Sequence, residues 1–263
     1  MDIKKEITDE IVKFVKDADD GANLLKLWKT PLVGFADVGH PYIRNLRKFA
    51  GNSHQMPEEV LKDGKIIIAY FIPFSESVVT GNKEPGLAST KWAEAYEKTN
   101  AMFSKLNIHL TEFIEKLGFK AKQSPEASVF YRDELMSHWS FRHFAYAAGL
   151  GTFGMNNMLI TEAGCAGRVN AIVTNMDMKP DSPRIEEACL YKRKGICGLC
   201  IKACPSSALS KEGFDRKKCY NRCLENAAVH RSNSSSYGAA EGGIGSEVCG
   251  KCIAGMPCAF RRP

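Results

Sequence analysis

The sequence contains no apolar stretch approaching the ~20 residues that a membrane-spanning helix requires. Its longest apolar run lies around Ile66–Phe74. From Met1 to Asp20 there is neither the apolar segment of a secretion signal nor a twin-arginine start, and lysines alternate with acidic residues instead. These absences point to a cytoplasmic chain with no membrane partner. Arginine-rich runs are missing apart from Arg261-Arg262, so a formal charge of +6 does not mark a nucleic-acid binder. Histidine is sparse, and the C-terminal third has only His230. No internal repeat is present.

Cysteine is abundant. Of ten, Cys165 stands alone and nine fall between Cys189 and Cys258. A cytosolic thiol pool would keep such residues reduced, so this density indicates metal. Cys165 reads as a packed, inert thiol. The strongest motif is Cys197-Gly-Leu-Cys200-Ile-Lys-Ala-Cys204-Pro205. In two-cluster ferredoxins a C-x2-C turn gives two ligands to one four-iron cluster, and the cysteine before proline serves the other. Crossed ligands of this kind assign Cys189, Cys197, Cys200 and Cys258 to cluster one. Cluster two takes Cys204, Cys219, Cys249 and Cys252, with Cys223 as the substitute for Cys219. Structural zinc also uses C-x2-C pairs, but it leaves the x3-C-P ending unexplained.

The chain ahead of the cysteines reads as mixed helix and strand. The patterns predict a helix over Asp2–Asp17 and strands at Leu32–Val38 and Lys65–Phe74. A long helix over Thr90–Leu117 stops at Gly118. Ser128–Tyr131 reads as a short strand and Glu134–Ala148 as a helix. Gly149–Asn157 reads as a glycine-punctuated loop, and Met158–Thr161 and Arg168–Asn175 as strands. Ser232–Ser246 reads as a flexible connection. The fold class is α+β, a three-layer body with a ferredoxin-like appendage.

Gly149-Leu-Gly151-Thr-Phe-Gly154 matches GxGxxG, but the order is helix, loop, strand, the reverse of a nicotinamide site. Three glycines still leave one surface bare for a large cofactor. Arg142 could hold an anionic group. Tyr131 or Asp133 could deliver a proton to a substrate under reduction, with His138 and His143 as further candidates.

The stretch Trp139-Ser-Phe-Arg-His143-Phe-Ala-Tyr-Ala-Ala-Gly-Leu-Gly-Thr-Phe-Gly154 is followed by Met158–Thr161, Arg168–Asn175 and the cysteine motifs in order. From about Ser128 onward it resembles the epoxyqueuosine reductase-like family, relatives of the corrinoid-dependent reductive dehalogenases. The resemblance implies a nitroreductase-like α/β three-layer domain over 1–180 and a ferredoxin-like two-[4Fe–4S] domain over 181–263. It implies a base-off cobalamin, with FMN as the alternative, near a loop of Gly149, Gly151, Thr152, Gly154, Asn156 and the neighbouring Arg142. Cluster one is expected nearer the corrin. An external low-potential donor such as ferredoxin or flavodoxin would supply electrons for reduction of a small molecule. Asp133, Tyr131 and His143 are the catalytic candidates. The chain looks like a short form of the family. It ends five residues after Cys258, without the repeat domain that holds tRNA in epoxyqueuosine reductases. That puts tRNA in question as a substrate. The string Asp-x-His-x-x-Gly, which would donate a histidine to cobalamin, does not occur. The competing function is a ferredoxin-type carrier or reductive activator without its own substrate, which would not need some 180 residues ahead of its clusters.

Overall fold

Every residue of the strand Ile66–Pro73 is buried, as a strand covered on both faces demands. The computed structural model describes residues 2–20, 26–231 and 245–263. The elements run α1 (Ile3–Asp20), β1 (Leu32–Asp37), α2 (Pro41–Arg44), α3 (Leu46–Ala50), α4 (Pro57–Val60), β2 (Ile66–Pro73), α5 (Glu76–Gly81), α6 (Thr90–Lys116), β3 (Ala121–Lys122), α7 (Phe141–Ala147), β4 (Gly151–Phe153), β5 (Leu159–Thr161), β6 (Gly167–Thr174), α8 (Leu190–Lys194), α9 (Leu199–Lys202) and α10 (Arg216–Val229). The main sheet has the order β1-β2-β6-β3, and its pairs are antiparallel. Alternation along β2 sends Ile66, Ile68, Tyr70 and Ile72 to one face and Ile67, Ala69 and Phe71 to the other.

Helices cover both faces. The first is packed by α1 through Ile7, Ile11 and Val15 and by α6 through Met102, Phe103, Leu106, Leu110 and Ile114. Ile3 and Phe14 complete the α1 stripe, half-buried against the same core. Ser89 caps α6 by accepting from the Trp92 amide at 3.2 Å. The second face is packed by α7 through Phe144, Ala145, Ala147 and Ala148, with Ile43, Leu46 and Trp139 around it. The cysteine-bearing segment joins the first core: Ala188, Val248, Ile253, Ala254 and Ala259 pack with the α1 and α6 residues. Its thiols are therefore fixed to the sheet body.

Three expectations change. The helix expected over Glu134–Ala148 is confined to Phe141–Ala147. Tyr131 and Met136 pair instead, closing a turn in which Leu135 takes a φ of 52°. The Gln55 amide donates to His138 O at 2.9 Å and the Ser140 amide to His54 Nε2 at 2.9 Å, so tertiary bonds hold 138–140 out of the helix. Ser128–Tyr131 is not a strand, since a 3-10 turn at Pro125–Ser128 precedes that isolated pair. Finally, Gly149–Asn157 is only partly loop, because β4 pairs with β5. The Ser232–Ser246 connection lies, from 232 to 244, outside the described residues.

His54 sets the start of α7 and is 1 % exposed. Burial lowers its pKa to about 4. Between pH 6.5 and 4 the unfolded chain therefore binds a proton at this residue that the folded chain refuses, and stability falls as pH drops through that window. A loss of roughly 2 to 3 kcal/mol from this histidine is expected between pH 7 and 4.5. Urea unfolding at the two pH values checks it: the loss should shrink in His54→Gln, and an equal loss in both proteins would contradict the assignment.

Candidate metal and cofactor site

The ten cysteines are all free thiols. Cys189, Cys197, Cys200 and Cys258 line one cavity of about 30 Å3, together with Gly154, Asn156, Tyr191 and Pro263. Burial, and then the neighbouring Cys258, Cys189 and Cys197, push the Cys200 thiol up to about 11. Cys189 caps α8, and a left-handed Gly195 ends that short helix, returning the chain to Cys197. Left-handed Gly198 then opens α9, which carries Cys200. Cys258 arrives from the far end of the chain. The Cys165 amide donates to Cys258 O at 2.9 Å and the Ala166 amide to Ala259 O at 3.1 Å, stitching this segment to the body.

The second set adjoins the first. Burial raises the Cys252 thiol, with Cys249, Cys219, Cys204 and, last, Cys200 adding to it. Burial likewise raises Cys249, which feels Cys219 and Cys204. The Cys249–Cys252 turn is moored from outside: Asn82 Nδ2 donates to Cys249 O at 2.8 Å, and Lys251 Nζ donates to Glu84 O at 2.6 Å. Gly250, at φ 72°, lies against the Trp92 ring, where any Cβ would collide. Cys219 and Cys223, one turn apart on α10, share a hydrogen bond. That bond is the first cause lowering Cys219 to about 7, with Arg142 assisting, while Cys223 is pushed well up.

Cys165 is not isolated. It is 3 % exposed, and its sulfur sits 3.8 Å from Cys258 Sγ. This bond lowers Cys258 and raises Cys165, so Cys165 keeps the proton. Its linear distance from the other cysteines hid that neighbour. Among the described residues no three His, Cys, Asp or Glu side chains converge on a single ion.

The glycine loop has a different role from the one its motif suggested. A Cβ at Gly149 would strike Ser182 O, and one at Gly151 would strike Ile160 O, so the chain itself fills both gaps. Thr152 Oγ1 accepts from the Ala188 amide at 2.8 Å, and Asn156 Nδ2 donates to Cys252 O at 3.1 Å. At these positions the loop ties the body to the cysteine segment, and Gly154 and Asn156 line the first cavity.

Arg142 projects from α7 with its Nη1 on Asn157 O at 2.6 Å. Although its surface is open to solvent, protein crowds round it. This burial lowers its pKa first, then Arg216 and Arg168, with Cys219 acting oppositely. Arg142 thus lies near Cys219 of the second cysteine set, while Cys197 of the first is exposed. Asp133 is exposed on the turn between Tyr131 and Met136. Tyr131 donates its hydroxyl to Glu126 at 2.9 Å and stacks on His138 at 3.8 Å between centroids. Arg132 moors this turn to the cysteine segment, bonding the Tyr220 hydroxyl and Glu247 Oε1. Sequence reasoning missed that link, because a charged residue gives no local sign of a distant partner. His143 is half-buried, with Nδ1 2.6 Å from Ser140 Oγ. Burial brings it to about 4.

Over 200 residues, or 68 % of this chain, the sequence is 27 % identical to the epoxyqueuosine reductase of Francisella cf. novicida (strain Fx1), covering 53 % of that protein. Over 72 residues it is 38 % identical to the tetrachloroethene reductive dehalogenase of Desulfitobacterium hafniense, covering 26 % of this chain and 12 % of that one. The chain is similar in sequence to epoxyqueuosine reductases and reductive dehalogenases. No protein-family model matches it. The solved epoxyqueuosine reductase of Streptococcus thermophilus has the same fold, with a TM-score of 0.59 at 18 % identity over 100 % of this chain and 68 % of that one. The chain spans about half the length of the first curated relative, and 39 % of a second epoxyqueuosine reductase. No helix among the described residues is long and apolar enough to cross a membrane.

Proposed function

We propose that the chain is an iron–sulfur oxidoreductase of the epoxyqueuosine reductase type, carrying electrons through two [4Fe–4S] clusters to a cobalamin that reduces a small substrate. The observation that carries this reading is the gathering of Cys189, Cys197, Cys200 and Cys258 around one cavity, with Cys204, Cys219, Cys249 and Cys252 as its neighbours. Eight reduced thiols in two adjoining sets suit soft iron. Arg142, with Arg168 and Arg216 near enough to act on it, suits an anionic cofactor group, which a corrinoid's phosphodiester and the phosphate of FMN both offer. When bound, these groups would supply single electrons and a strongly reducing centre.

The chain's own residues would hold and feed that chemistry. Cys189, Cys197, Cys200 and Cys258 would hold cluster one, and Cys204, Cys219, Cys249 and Cys252 cluster two. The exposure of Cys197 favours electron entry at the first set, from an external low-potential donor, and exit from the second set toward Arg142. Asp133 or Tyr131 would donate the proton. His143 is the further candidate for that step, with its Nδ1 engaged by Ser140 Oγ. The body up to residue 180 would be nitroreductase-like and the remainder ferredoxin-like.

Iron, sulfide, zinc, flavin and corrinoid analysis of protein purified and loaded under anoxia tests this reading. Iron and sulfide with bound corrinoid are expected. Zinc in place of iron would overturn it; bound FMN would move the reduction to flavin; clusters alone would leave a carrier.

A further inference from the structure

Cluster one's ligand set reaches the surface at one place. Cys197 is the only exposed cysteine among the described residues. Beside it Ile196 is 54 % exposed and Leu199 43 %, although both are large apolar side chains. Lys192 and Lys194 on α8 and Lys202 on α9, all within five residues of Cys197 along the chain, are exposed as well. Arg193, in contrast, turns inward to Glu186 Oε1 at 2.9 Å and Pro263 O at 2.9 Å. Among the described residues no acidic side chain forms an ion pair with Lys192, Lys194 or Lys202.

Two exposed apolar side chains flanked along the chain by uncompensated lysines have the make-up of a transient docking face. Redox encounters sit at the low end of interface size, where a few apolar contacts suffice and charge sets orientation and on-rate. The sign of these charges selects the partner. We infer that the rim formed by α8, the Gly195–Gly198 turn and α9 is the docking face for a small acidic one-electron carrier, which delivers its electron next to Cys197. This rests on the iron–sulfur reading above. A second copy of this chain would bring the same lysines against each other, which disfavours it as the occupant.

The test is stopped-flow reduction of the full, cluster-loaded chain. The probes are flavodoxin hydroquinone, an acidic FMN protein, and reduced methyl viologen, a small donor that needs no docking face. In the double variant Lys192→Glu/Lys194→Glu the second-order rate with flavodoxin should fall roughly ten- to a hundredfold at low salt. The gap from the parent should close as ionic strength rises, while the viologen rate and iron content stay at parental values. A flavodoxin rate unchanged in the variant, or one falling no further than the viologen rate, would overturn the assignment. Absence of iron from the parent is a different failure, that of the iron–sulfur reading itself.

Discussion

Replacing Cys200 with alanine is expected to halve the iron and acid-labile sulfide of protein loaded under anoxia, from about eight of each per chain to about four. Cys200 is the member of the first set most involved with the other three, since Cys258, Cys189 and Cys197 all act on it. Its burial among thiols disfavours charge, so bare thiolates gathered there repel one another, and a cluster cation core would relieve the repulsion. Cys200 also sits on a four-residue helix held by glycine turns, leaving no spare thiol on that helix to take its place. Cys165→Ala serves as the control. That thiol bonds Cys258 from inside the core, and the backbone bonds around it survive the substitution, so iron should stay near the parental value. Equal iron loss in both variants would mean that the packing, and not ligation by Cys200, accounts for the result.

What the sequence disclosed and what it hid follow from the range of the forces involved. The α1 stripe and the apolar run of β2 are local periodicities, and both stand where their patterns put them, within a few residues. The Cys197–Pro205 motif is equally local. The Glu134–Ala148 helix failed because the bonds that shorten it come from Gln55 and His54, some eighty residues away. The glycine motif misled for a related reason: the bodies that require Gly149 and Gly151 to be bare are Ser182 and Ile160, not a ligand. Cys165 is packed as its sequence reading had it, but its neighbour Cys258 lies 93 residues on and left no local sign. Arg132 carried no mark of its bond to Glu247.

The spacing of Cys219 and Cys223 left both eligible, and we propose Cys219 as the ligand because it is the one that faces Arg142. Both sit on α10, one turn apart, where side chains at i and i+4 share a face. A metal takes the thiolate, so the better ligand is the thiol that loses its proton more readily. Cys219 is brought down to about 7 by accepting a hydrogen bond from Cys223 and by facing Arg142. Cys223 is pushed up by that same bond, by burial and by the charge of Cys219. Cys252 also feels Cys219 and Cys204. Alanine at 219 is therefore expected to remove the second cluster and roughly half of the iron, while alanine at 223 keeps both clusters. Losing a sulfur's hydrogen-bond donor makes a cluster harder to reduce. Cys223→Ala should accordingly shift cluster two to a more negative potential, read by EPR-monitored redox titration, and Cys223→Ser should return it toward the parent. If Cys223→Ala loses the cluster and Cys219→Ala keeps it, the ligand is Cys223 and the hydrogen bond runs the other way.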